Sequence, residues 1–180
     1  VVIVGPRPFS LRALLPFLKD PETELVFVDG GLVHKDRLLK KAPALTKKAL
    51  SLGDGDSSKR PMDLKKIDQN LSDFSFFLKT YTKKPGIKTF YFAGFLGGRL
   101  DHELMNLGES AHFLKGKKNP PRFLFEDRIE VLPAGGHHFT LQGTFSVALF
   151  EKGEVKISGL CAYPTKGWVK LASFSSRGLS

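Results

Sequence analysis

The chain has 180 residues, 41% of them hydrophobic, enough for one ordinary domain or two small ones with a real core. Its single cysteine, Cys161, excludes an internal disulfide framework and fits a cytoplasmic setting, and no apolar run reaches the length of a membrane span. The net charge of +10 is spread over lysine pairs such as Lys40-Lys41 and Lys65-Lys66; with no nucleic-acid motif beside them they read as a solvated basic surface that also attracts anionic nucleotides, so neither a nucleic-acid nor a membrane partner is expected.

Residues 1–4 form an apolar run too short for a signal-peptide core and ended by Gly5-Pro6, so they read as a first strand. Ser10 can cap a helix running to about Lys19. Residues 25–29, 50–54 and 87–93 are further buried strands. The middle two end in Asp29 and Asp54, at the carboxyl ends of strands, where ligands bind in open α/β sheets. Phe74, Phe77, Leu78 and Tyr81 follow the 3.6-residue period of a helix. Leu100, Leu104, Leu107, Ala111 and Leu114 make a cleaner apolar stripe, predicted to be the buried face of another. This alternation predicts a layered α/β domain with a mainly parallel sheet over residues 1–118. A polar linker rich in Lys, Gly, Asn and Pro follows, and the apolar residues then alternate with period two: Phe123/Phe125, Phe139/Leu141, Phe145/Val147/Leu149, Val155/Ile157 and Val169/Leu171. Residues 119–180 therefore read as a small antiparallel β-sandwich.

Three acid-containing segments fall at element ends. Gly53-Asp54-Gly55-Asp56-Ser57 follows a strand, and in extended geometry Asp54 and Asp56 would point the same way, toward one cation; the same run also makes an ordinary turn. In Asp68-Gln69-Asn70-Leu71-Ser72-Asp73, Asn70 or Ser72 can cap the next helix while Asp73 sits in its first turn, which does not preclude metal binding. Gly97-Gly98-Arg99-Leu100-Asp101-His102, with Asn106 one turn on, is the most specific of the three. Its glycines allow a close backbone approach, Arg99 can fork onto phosphate oxygens, and Asp101 can hold a metal or a hydroxyl. The plainer reading is a glycine turn entering a helix, with His102 facing solvent. Carboxylates for a hard divalent cation such as Mg²⁺, glycines for phosphate and an arginine clamp point to nucleotide-dependent phosphoryl chemistry. Neither a P-loop nor a kinase catalytic loop is present.

In their order, these motifs resemble the thiamine pyrophosphokinase family over nearly the whole chain. Asp29-Gly30-Gly31 matches its first motif, residues 53–57 the second, residues 68–73 the third, residues 97–102 with Asn106 the fourth, and Ser158-Gly159-Leu160 the fifth; Ser180 stands where a last Ser-Asn pair would begin. The resemblance implies a homodimer with sites at the subunit interface, transferring pyrophosphate from ATP to the hydroxyl of thiamine and releasing AMP. It implies Mg²⁺ on Asp54, Asp56 and Asp73, with Arg99 and Asp101 completing the catalytic set. Asp29, Gly30, Gly97, Gly98, Arg99, Ser72, Gln69 and Asn106 would face nucleotide and phosphate. Trp168, Ser180 and His102 would face the acceptor; Trp168 could stack on the cationic thiazolium or be a core aromatic. The third motif departs from the family: Asn70 replaces an acid, and Phe76 replaces a lysine and offers no donor to phosphate. Gly55 replaces a bulky apolar residue. Pyrophosphate transfer to another heterocyclic alcohol, or a nucleotide- or thiamine-binding homologue with weakened or lost catalysis, are the alternatives.

Overall fold

The apolar runs become the centre of one seven-stranded sheet in the computed structural model, which describes residues 1–58, 60–81, 84, 86–140, 142–161 and 164–175. The strands are β1 (Val2–Val4), β2 (Leu25–Val28), β3 (Ala49–Gly53), β4 (Leu64–Lys65), β5 (Thr89–Ala93), β6 (Arg122–Phe125) and β7 (Ile129–Val131). They lie in the order β4-β3-β2-β1-β5-β6-β7. All pairings are parallel except the last, in which β7 turns back on β6. The fold is α/β with a mainly parallel sheet. Helices α1 (Leu11–Lys19), α2 (Lys35–Lys41), α3 (Asp73–Tyr81) and α4 (Leu100–Leu114) connect the strands. Central strands of such a sheet are covered on both faces, so they carry unbroken apolar runs. All of β1 is 0% exposed, with Val2 registered against Leu25 on one side and Tyr91 on the other.

Much of the core is aromatic. Phe74 and Phe77 on α3 pack on Phe90 and Phe92 of β5, and Phe92 stacks on Phe125 at 4.4 Å between ring centroids. Each such side chain, once buried, contributes about 1.5–3 kcal/mol. This packing shifts the expected domain boundary. Residues 122–125 belong to the first unit, with Phe92 opposite Phe125 in a parallel ladder, because Phe123 and Phe125 bury completely against the aromatic layer. Period-two alternation marks a strand without saying which sheet it joins. The chain divides into compact units Val1–Ala134 and Gly135–Ser180.

The second unit carries a small antiparallel sheet of two strands, β8 (Gly153–Val155) and β9 (Val169–Leu171), with Val155 opposite Val169. The fuller sandwich expected from residues 139–149 is not formed among the described residues. Phe139 and Phe145 remain 43% and 36% exposed, and an apolar alternation with no partner sheet to bury against does not fix a strand. The stripe on α4 also differs from expectation. Leu114 is fully buried, whereas Leu100 and Leu104 are 69% and 46% exposed, because a stripe at helical spacing is buried only where a neighbouring element packs against it. No described helix is long and apolar enough to cross a membrane.

The loop between β3 and β4 is pinned by a reciprocal pair. Asp63 Oδ2 accepts from the Ser51 amide at 2.7 Å and from its hydroxyl at 2.8 Å, and Ser51 Oγ accepts from the Asp63 amide at 3.1 Å. Burial works against the Asp63 charge, yet the Ser51 bonds outweigh it and hold the carboxyl below its ordinary value. Asp63→Ala is expected to cost about 1 kcal/mol at neutral pH. A depressed carboxyl stabilises above its unfolded pKa and loses that contribution as pH falls through the folded value, so the difference between wild type and variant should vanish in strong acid. Denaturant titrations at neutral and strongly acidic pH check this.

Candidate active site: an acidic cluster at the carboxyl ends of the strands

Asp29 follows β2, Asp54 follows β3 and Asp73 opens α3. The fold brings one carboxylate oxygen of each within 4.8 Å of the others. Two of them come from the ends of adjacent parallel strands, the usual location of a ligand site in this architecture. The third is aimed by the start of α3, where Ser72 Oγ accepts from the Ser75 amide at 2.9 Å as an N-cap. Asp73 also receives the Asp54 amide at 3.2 Å, tying α3 to the end of β3.

Asp29 is unusual in two respects. Its φ of +43° lies in the left-handed region that few non-glycine residues enter. The residue is 9% exposed, and among the described residues Oδ1 has no hydrogen-bond partner. A buried, unsatisfied carboxylate oxygen costs free energy unless something fills the place of a partner. A strained backbone and an orphaned oxygen, on a residue whose carboxylate lies beside two others, mark a built site rather than a chance cluster. The donor set is all oxygen, which suits a hard cation such as Mg²⁺.

Gly53 makes the approach possible. Its φ is +142°, and a Cβ there would stand 3.0 Å from Asp29 Cβ and 3.2 Å from Asp73 Oδ1. A Cβ on Gly31 would lie only 2.0 Å from the Val4 carbonyl oxygen, so the turn after Asp29 lies directly on β1. Gly30 faces Pro6 and Ser57, whose Cβ atoms would be 3.0 and 3.5 Å from an added one.

The sequence placed Asp56 beside Asp54 on the cation. The structure puts it elsewhere, because Gly55 takes a φ of +84° and breaks the extended geometry on which that reading depended. Asp56 is exposed; its amide donates to Asp54 Oδ1 at 3.2 Å and its carboxylate accepts from Ser57 Oγ at 2.9 Å. Asp29, read beforehand as a phosphate neighbour, takes its place in the cluster.

Lys66 was visible only as half of a basic pair, yet it is the cation of this site. It is 5% exposed, and its Nζ lies 3.0 Å from Asp54 Oδ2, 3.3 Å from Asp73 Oδ1 and 2.9 Å from the Leu71 carbonyl. The bond from Lys66 draws the Asp54 carboxyl below its ordinary value. At Asp73 burial, together with the neighbouring Asp54 and Asp29 charges, outweighs the same ammonium and pushes the carboxyl up. Burial opposes the Lys66 charge, but the two carboxylates raise its pKa above the usual lysine value. The one available sequence signal was a lysine lying between two acidic motifs.

The glycine–arginine segment lies at the end of β5. Gly97 has a φ of +80°, and the Gly98 amide donates to Glu103 Oε1 at 2.7 Å. Arg99 is exposed and forks onto Asp101, with Nε 3.1 Å from Oδ1; the guanidinium holds the Asp101 carboxyl below its ordinary value. Arg7, which sequence reasoning passed over, lies across Gly98, where an added Cβ would be 2.4 Å from its Nε. Its side chain makes no ion pair among the described residues. Beside it, Glu126 Oε1 accepts the Gly94 and Phe95 amides at 2.7 and 3.2 Å. A cleft of about 430 Å³ opens here, lined by Phe9, Ser10, Tyr91, Leu96, Gly97 and Arg128 among others. It lies where the strand order reverses between β1 and β5, the switch point at which open α/β sheets receive ligands.

The remaining expected residues are scattered. Gln69 and His102 are exposed, and Asn106 is half-buried on α4. Ser72 bonds Ser75 and approaches Glu109. Phe76 is half-buried on α3. Trp168, in the second unit, is 69% exposed and so is not a core aromatic. Ser180 lies outside the described residues.

No family model matches the chain, and no curated protein matches it in sequence. Among solved structures, a thiamin pyrophosphokinase from Geobacillus thermodenitrificans is similar, with 21% identity and a TM-score of 0.46 over 68% of this chain. The chain spans 58% of the length of that structure.

Proposed function

We propose that the chain is a metal-dependent pyrophosphokinase that transfers pyrophosphate from ATP to the hydroxyl of thiamine, giving thiamine diphosphate and AMP. The observation that carries this reading is the convergence of Asp29, Asp54 and Asp73 at the carboxyl ends of parallel strands, with one carboxylate oxygen of each within 4.8 Å of the others and Asp29 buried with an oxygen unsatisfied among the described residues. The ordered motifs of the sequence support the choice of pyrophosphate transfer within phosphoryl chemistry.

In this proposal Asp29, Asp54 and Asp73 hold the cation. When bound, Mg²⁺ neutralises charge on the phosphate oxygens of the donor. The switch-point cleft has the size of a small-molecule pocket and is lined in part by Gly97, and Arg7 lies across the neighbouring Gly98. Among the described residues the Arg7 guanidinium is paired with no carboxylate, and it can fork onto phosphate. Asp101, held ionised by Arg99, serves to aim that guanidinium and is poorly suited to take the proton of the acceptor hydroxyl. Catalysis then rests on positioning and electrostatics.

The acceptor is the least constrained part. Incubating the protein with Mg·ATP and, in separate reactions, thiamine, pyridoxine and a hydroxymethylpyrimidine tests it by AMP release. The expected result is AMP formation with thiamine at least about tenfold faster than with the others, a difference of about 1.4 kcal/mol in the barrier. Equal or faster release with another alcohol would reassign the acceptor, and release with none would remove the enzyme reading.

A further inference from the structure

We infer that Lys66 is a built-in competitor for the divalent cation: its ammonium holds Asp54 and Asp73 together, and metal loads fully only as the ammonium gives way. The inference rests on the cation reading of the acidic cluster and concerns how that site is filled.

The geometry is specific. An ammonium has three donors, and all three of Lys66 are spent, on Asp54 Oδ2, Asp73 Oδ1 and the Leu71 carbonyl. Two of these acceptors are carboxylate oxygens of the cluster itself. The side chain is almost wholly buried, so it is fixed by the end of β4 and the turn at Leu71 and does not sample solvent as a surface lysine does. A small divalent cation requires close, near-octahedral oxygen contacts. It cannot draw on the oxygens that Lys66 occupies without meeting a like charge a few ångströms away, in a place poorly screened by water.

Asp29 is outside this arrangement. Its Oδ1 has no partner among the described residues while Lys66 serves the other two acids, so the ammonium satisfies only part of the cluster. The site is thereby preformed without metal, since two carboxylates that would otherwise repel are bridged. Its affinity for free cation is held down at the same time. A polyphosphate arriving with its own metal offers Lys66 anionic oxygens in exchange for the carboxylates, which favours loading of metal and nucleotide together.

Mn²⁺ binding to the whole chain, followed by electron paramagnetic resonance without nucleotide, tests the inference. Lys66→Met keeps the length and removes the charge; Lys66→Arg keeps the charge. The expected result is Mn²⁺ affinity at least about tenfold higher in Lys66→Met than in wild type, because a unit charge about 4 Å away is worth that much even in a water-like dielectric. Lys66→Arg should bind as weakly as wild type. Lys66→Met should also melt lower than wild type without metal and regain more stability on adding Mn²⁺. Lys66→Gln gives the same comparison should the methionine variant not fold. Binding that is unchanged or weaker in both neutral variants overturns the inference and makes Lys66 a positioning residue for the carboxylates. Absence of Mn²⁺ binding in every protein at millimolar concentration removes the cation reading of the cluster, and the inference with it.

Discussion

Asp54→Asn and Asp73→Asn are each expected to lower turnover by about 100- to 1,000-fold while the chain still folds. Each change removes one of three carboxylates proposed to hold the cation, and loss of a preorganised electrostatic group of this kind typically costs about 10²–10³ in rate. The amide keeps the shape of the side chain. Lys66 keeps the Leu71 carbonyl and one carboxylate in either variant, so circular dichroism should be native. Asp56→Asn is the informative control. By sequence it belongs to the metal set; in the structure its carboxylate is exposed and turned toward Ser57. Its effect should stay below about tenfold, under 1.4 kcal/mol in the barrier. A loss at Asp56 as large as at Asp54 would restore the arrangement inferred from spacing and displace Asp29 from the site.

Gly31→Ala should be the most damaging change to stability. An added Cβ would lie 2.0 Å from the Val4 carbonyl oxygen and 2.8 Å from its carbon. Both belong to the backbone of β1, a fully buried central strand that pairs on both sides. No rotamer relieves that overlap, so either the turn after β2 or the strand must move. Losses above about 3 kcal/mol are characteristic of such backbone conflicts, equivalent to roughly 6–12 °C in Tm for a domain of this size. The same displacement would carry Asp29 away from Asp54 and Asp73, so residual folded protein should have lost Mn²⁺ binding. Gly86→Ala provides the comparison: it has a φ of +83°, but among the described residues beyond its chain neighbours no atom lies within 4 Å of an added Cβ, and it should cost only the strain of the left-handed backbone, about 1–2 kcal/mol. Thermal melts of the two variants separate packing conflict from backbone strain.

The sheet was legible because buried parallel strands carry a signal that is local and strong. Val2-Ile3-Val4, Leu25-Val26-Phe27-Val28 and Phe90-Tyr91-Phe92 are apolar on both faces, as the central strands of a covered parallel sheet are. The destination of β6 was not legible. Phe123 and Phe125 alternate as any strand would, and only the aromatic layer on Phe92 decides which sheet receives them. The exposed start of α4 failed for a related reason: a periodic stripe defines a face but not the length of the neighbour that covers it.

In the site, Asp54 and Asp73 could be read from motif context, since each stands at an element end. Asp56 could not be placed, because a single glycine dihedral at Gly55 decides where its carboxylate goes. Lys66 and Arg7 were hidden for opposite reasons. One sat within a surplus of lysines that composition reads as surface, and the other was a lone arginine in a proline turn. Both act through contacts with residues at least five positions distant, with Asp54, Asp73 and Leu71 for Lys66 and Gly98 for Arg7, and no local pattern encodes those.

Phosphorus NMR of a reaction containing the protein, Mg·ATP and thiamine tests the central claim most directly, because it follows the fate of each phosphate. Attack of the hydroxyl oxygen on the β-phosphorus breaks its bond to the α-phosphate oxygen, which leaves with AMP, and the β–γ unit stays intact on the acceptor. The account predicts equal amounts of AMP and thiamine diphosphate, with no ADP, and no product from Asp54→Asn. ADP with a monophosphate ester, ADP with free phosphate, or unchanged ATP at high protein concentration would contradict it.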